Sequence, residues 1–166
     1  MIQRVQTLLL LGVAICMGMV LAYYIWGETT ADQGELAVLT AFKVEWVDTA
    51  GTLSDRSDDT IIRTESTWYI AALAVAASLV ALFSVVQYKN RLTQMKLGAL
   101  NALLMAATLG ISYYKIYQLE PMVNPEGQGN IQLGFFLPAL AMILNILSNR
   151  FIRKDEKLVR SVDRIR

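Results

Sequence analysis

Apolar positions gather in four stretches, Val5–Trp26, Trp68–Tyr88, Leu97–Tyr114 and Ile131–Asn149, and none of them contains Asp, Glu, Lys or Arg. Helices of a soluble bundle carry charge along one face. Helices apolar all round belong in lipid, where spanning takes about 20 residues at about 1.5 Å of rise each. The pattern predicts an all-α integral membrane protein, a four-helix transmembrane bundle over residues 1–149 followed by a separate tail, 150–166.

Between the stretches the pattern changes period. Over Thr40–Asp48, Phe42, Val44 and Trp46 alternate with Lys43 and Glu45, which reads as a half-buried strand. Thr60–Thr64 reads as a returning strand, so the Gly27–Thr67 loop is a candidate β-hairpin capping the helix ends. That loop is too acidic and too poor in apolar residues to build an independent core. The second connector, Gln118–Asn130, holds Pro121, Pro125, Gly127 and Gly129 and reads as turns. The Ala72/Ala76 and Ala77/Ala81 pairs of the second span have the spacing of small residues that lets helices approach closely.

Charge adds orientation. The N-terminus, the Lys89–Lys96 loop and the tail hold eleven basic and three acidic residues, net +8. The two other loops hold four basic and eleven acidic residues, net −7. The chain total of +1 hides this sorting. Basic segments stay on the cytoplasmic side of a membrane, so both termini are expected there. The first stretch has a short basic lead but an apolar run longer than the usual 7–15 residues of a signal peptide, so it is expected to remain as an anchor.

Composition excludes more than it assigns. Cys16 is the sole cysteine and histidine is absent. Disulfide-braced outer loops are thereby excluded, and so are the commonest metal ligand and the commonest acid–base group near neutral pH. Asp55, Asp58 and Asp59 lack the spacing of a calcium-binding loop and read as a solvated turn. No catalytic, cofactor-binding or metal-binding residue is expected.

Three polar positions inside the spans share a depth. Ser84, Asn101 and Asn145 each lie five residues from a flanking cation, Lys89, Lys96 and Arg150 respectively, roughly 7 Å into the apolar zone. They predict an intramembrane polar layer in which Asn101 and Asn145 bond across the third and fourth spans. In the fourth span, Pro138 removes the helical bond to the Gly134 carbonyl and predicts a kink there.

The tail carries Arg150, Arg153, Lys154, Lys157, Arg160, Arg164 and Arg166 around an apolar stripe of Phe151, Leu158, Val162 and Ile165. This predicts a basic amphipathic helix that contacts lipid or a partner. Anionic headgroups attract such a segment at about 1 kcal/mol per basic residue; another membrane or cytoplasmic protein is the other expected ligand. Nucleic acid is not expected, because the tail lacks interleaved aromatics for base stacking.

The two ends carry a resemblance. Met1-Ile2-Gln3-Arg4-Val5-Gln6 and the close running from Asn149-Arg150-Phe151-Ile152-Arg153-Lys154 to Arg164-Ile165-Arg166 are similar to the terminal signatures of an uncharacterised family of small bacterial inner-membrane proteins, domain of unknown function four-two-nine-three. The resemblance implies four helices over the full length and a bacterial inner-membrane location, and it brings no activity or ligand. The expected function is therefore non-enzymatic: an accessory or scaffold protein whose basic tail binds anionic lipid or a partner. The alternative is a small transporter or channel subunit organised around Asn101 and Asn145.

Overall fold

The computed structural model describes residues 2–30, 34–49, 59–88, 90–127 and 129–163, with side chains from Val5 to Lys157 within those ranges. In chain order the elements are α1 (Ile2–Met19), β1 (Trp26–Thr29), β2 (Glu35–Leu39), β3 (Lys43–Asp48), β4 (Thr60–Ser66), α2 (Trp68–Val86), α3 (Arg91–Val123), β5 (Asn130–Ile131) and α4 (Leu133–Asp163). The five strands form one antiparallel sheet in the order β4-β3-β2-β1-β5. The all-α expectation is therefore corrected: the fold joins four helices to a sheet.

Helix lengths revise the bounds of the first predicted stretch. α2, α3 and α4 are long and apolar enough to cross a membrane, whereas α1 is shorter. The predicted first span, Val5–Trp26, stops being helical at Met19. Beyond it the chain turns and enters the sheet, where Ile25 donates to the Leu39 carbonyl at 2.9 Å and Gln132 donates to the Ile25 carbonyl at 3.0 Å. The aromatic and β-branched run Tyr23-Tyr24-Ile25-Trp26 favours an extended backbone, and the neighbouring strands supply its partners.

The hairpin strands are present, as β3 and β4, but they make up only part of the sheet. Val44 and Trp46 do face the core, while Phe42 lies before β3 and is half exposed. β2 was hidden in the acidic loop because ELAVL is nearly continuous in apolar residues and shows no alternation. β1 and β5 are four and two residues long, too short for a periodic signal.

The third helix explains how so small a sheet acquires a core. α3 does not end at Tyr114 but runs to Val123, straight through Pro121. Proline inside a helix costs ~3 kcal/mol or more. Ile116, Leu119 and Val123 follow one another at helical spacing and are buried, and each such burial contributes about 1.5–3 kcal/mol. Together they outweigh the proline. They share one apolar cluster with Trp26, Ala37, Leu39 and Val44 of the sheet. The loop indeed builds no independent core; the end of α3 completes it. The ion pair from Lys115 Nζ to Glu65 Oε1, 2.6 Å, ties β4 to the same helix.

Each helix packs on two others: α1 on α2 and α4, and α3 on α2 and α4. The buried stripe of α2 is Ala71, Ala74, Ala77, Ala81 and Ser84, so Ala72 lies outside it and faces outward. Ser78 Oγ donates to the Ala14 carbonyl at 3.0 Å where α2 meets α1. α3 begins at an asparagine cap, with the Asn90 side chain accepting from the Thr93 amide at 3.2 Å. α4 continues without a break from the apolar zone through Asp163.

Candidate functional site

The basic stretch of α4 is sorted by face. Arg150, Arg153, Lys154 and Lys157 are all exposed, and their spacing of three, one and three residues puts them on one side of the helix. The acids of the same segment turn the other way. Asp155 Oδ2 lies 2.8 Å from Arg91 Nη2, and Glu156 Oε2 lies 3.9 Å from Arg91 Nη1. Arg91 Nη1 also donates to the Asp155 backbone carbonyl at 3.4 Å. Ile152, fully buried beside them, anchors the segment. Arg91, at the start of α3, thus neutralises the acids and leaves the cations facing out. The Arg160 side chain, and Arg164 and Arg166 altogether, lie outside the described residues.

The predicted polar positions are all buried, but they bond differently from expectation. Asn145 Nδ2 donates to the Gly98 carbonyl at 2.8 Å rather than to Asn101. Among the described residues neither polar atom of the Asn101 side chain has a partner, nor does the Ser84 hydroxyl. The carbonyl of Ser84 instead accepts from Gln94 Nε2 at 2.8 Å. Gly98 owes its absence of a side chain to Asn149, whose amide occupies the space a Cβ would need. Gln6, Gln94 and Ser148 are buried in the same half of the helices. Their signal was present in the sequence: Gln6, Leu10, Val13 and Met17 fall at helical spacing, which places Gln6 on the inward stripe of α1.

Gly134 and Pro138 sit where α4 leaves the sheet, both buried. The Gly134 amide donates to the Tyr24 carbonyl at 2.9 Å. A Cβ there would stand 2.5 Å from the same carbonyl oxygen and 2.9 Å from that of Tyr23. Glycine at this place permits a backbone-to-backbone approach, a reason independent of the proline four residues on.

At the sheet end, Glu28 is a buried acid on β1, with one carboxylate oxygen that has no partner among the described residues. Burial, reinforced by the charge of Glu120, pushes its carboxyl above the ordinary 4.5. Glu28 also lines a cavity of about 630 Å³ together with Leu36, Val38, Val47 and Ile61, with Glu45 and Asp59 among its other polar groups. Among the described residues no group of His, Cys, Asp and Glu is placed to hold a metal ion.

A family profile described as Domain of unknown function (DUF4293) matches residues 2–165. The chain belongs to this family. No curated protein matches the chain. The DUF4293 match takes in both the sheet and the basic extension of α4, so both are parts of the family's domain.

Proposed function

We propose that the protein is a non-enzymatic scaffold of the bacterial inner membrane, with both termini in the cytoplasm, whose α4 extension binds anionic lipid headgroups. The observation that carries this reading is the outward stripe of Arg150, Arg153, Lys154 and Lys157, with Asp155 and Glu156 withdrawn onto Arg91. At about 1.5 Å per residue, the stripe reaches about 10 Å beyond Asn149, the last apolar-zone residue. The headgroups add about 5–8 Å on each face of a hydrocarbon core of about 30 Å, so Arg150, Arg153 and Lys154 lie among them and Lys157 just beyond, at the membrane surface. Four cations there contribute about 1 kcal/mol each. Orienting the helices requires positive charge but not the removal of acids from one face.

The test is tryptic cleavage of the tail in nanodiscs of phosphatidylglycerol against phosphatidylcholine. The reading expects protection in the anionic lipid, lost when salt is raised and lost in the Arg153→Glu, Lys154→Glu double variant. Equal cleavage in both lipids refutes lipid binding. If crosslinking in native membranes then joins the tail mainly to another protein, a partner takes the lipid's place in this reading.

A further inference from the structure

The inward stripes of the four helices change character part-way along. Toward the sheet they are apolar: Val13 and Met17 on α1, Ala74 and Ala77 on α2, Met105 on α3 and Ala141 on α4 are all fully buried. Toward the tail they are polar: Gln6, Ser84, Gln94, Asn101, Asn145 and Ser148 are at least nine-tenths buried. The helix contacts hold these groups near one depth. Gly12 faces Leu144, and Ser78 bonds to Ala14, so following α1, α2 and α4 another turn or two toward the tail brings Gln6, Ser84 and Ser148 to similar levels. Asn145 reaches α3 at Gly98, and Asn101 follows one turn along the same stripe.

The unpaired atoms define what fits. Gln6 Nε2 and Asn101 Nδ2 are donors, Asn101 Oδ1 and Asn145 Oδ1 are acceptors, and the hydroxyls of Ser84 and Ser148 serve as either. None carries a formal charge. A cation wants acceptors alone and an anion wants donors alone; a balanced set suits a neutral molecule that both gives and takes hydrogen bonds. Buried polar groups in a low-dielectric interior require such partners. The apolar half seals the sheet side, and an approach from the tail end passes buried Ile152 and the Arg91 pairs with Asp155 and Glu156.

We propose that the tail-side interior of the helices is a blind pocket for small neutral hydrogen-bonding molecules, with water the smallest occupant and a polyol the largest. The pocket does not depend on the tail binding lipid, and the two are tested by different readouts.

The test uses full-length protein carrying Cys16→Ala in nanodiscs of phosphatidylglycerol and phosphatidylethanolamine, with a single thiol introduced by Asn101→Cys, Ser148→Cys or Met105→Cys. Methyl methanethiosulfonate is small and neutral, and it reacts with the ionised thiol, which forms only where water reaches. The Asn101→Cys and Ser148→Cys variants are expected to react roughly tenfold or more faster than Met105→Cys. The bulky trimethylammonium reagent of the same class is expected to be slow at all three. Ser148→Cys exchanges hydroxyl for thiol at nearly constant volume, so it decides the matter if Asn101→Cys folds poorly. Slow reaction at both polar positions means a dry interior and overturns the proposal. Fast reaction of both reagents at all three positions means an open aqueous path and overturns it too. Protection by added glycerol supports the pocket with a polyol as its occupant; a fast reaction that glycerol does not slow supports it with water.

Discussion

The side-chain amide of Asn145 donates to the backbone carbonyl of Gly98 at 2.8 Å, with both groups buried between α4 and α3. Asn101, one turn further along α3, makes no such bond. The two asparagines should therefore respond differently to replacement. Asn145→Leu removes a bond between α3 and α4, and should cost about 1 kcal/mol, in the range measured for interhelical bonds in membrane proteins. Asn101→Leu removes no bond to another described residue and should cost less than Asn145→Leu. Thermal unfolding in detergent checks the contrast; equal losses would mean that the two side chains bond to each other.

Gly134 meets the carbonyls of Tyr24 and Tyr23, which are backbone and yield only with the whole chain. Gly134→Ala should cost about 1–3 kcal/mol, as overpacked sites do. Gly110 on α3 has open space around it, and Gly110→Ala should stabilise by up to about 1 kcal/mol through helix propensity. Paired melts of the two variants measure the difference.

Arg91 joins the start of α3 to the extension of α4 through Asp155 and Glu156. These pairs are partly exposed, so Arg91→Ala should lower global stability by no more than about 1 kcal/mol. Its effect is local: with the clamp gone, trypsin should cut after Arg153, Lys154 and Lys157 faster than in the parent protein. Mass spectrometry of timed digests reads the rate at each bond.

Glu28 has a folded-state pKa above its ordinary 4.5, because burial disfavours the carboxylate and Glu120 adds to it. The folded protein therefore binds this proton more tightly than the unfolded chain does. The contribution is fully present below pH 4.5 and is lost as pH rises through the interval up to the folded value. Glu28→Gln should flatten that decline and stabilise the sheet at neutral pH. Denaturation followed by the fluorescence of Trp26 and Trp46 across this range tests it; identical pH profiles for the two proteins would remove Glu28 as the cause.

What was legible in the sequence follows from how much chain each signal occupies. Apolar runs of 18 residues or more marked α2, the middle of α3 and the first part of α4, because helical burial in lipid leaves no polar interruption to misread. The β3–β4 strands showed through Val44 and Trp46, whose alternation fits a half-buried ladder. The rest of the sheet did not show. β1 opens on Trp26, the last residue of what looked like a membrane anchor, and β2 has apolar residues facing both ways. The end of α3 was masked by Pro121, because the sheet that repays the proline is distant in sequence. The depth of Ser84, Asn101 and Asn145 could be counted from flanking cations, but their partners could not. Gly98 contributes a backbone carbonyl, and no side-chain pattern announces that.

α3 measures about 50 Å, at about 1.5 Å for each of its 33 residues, against a hydrocarbon core of about 30 Å. It is clasped at one end by the acids of the tail and at the other by the floor of the sheet. A single stiff rod is thus fixed to both extremities of the molecule. The same helix therefore meets Asp155 and Glu156 through Arg91 and, through Ile116, Leu119 and Val123, the cluster that holds Trp26 and Leu39.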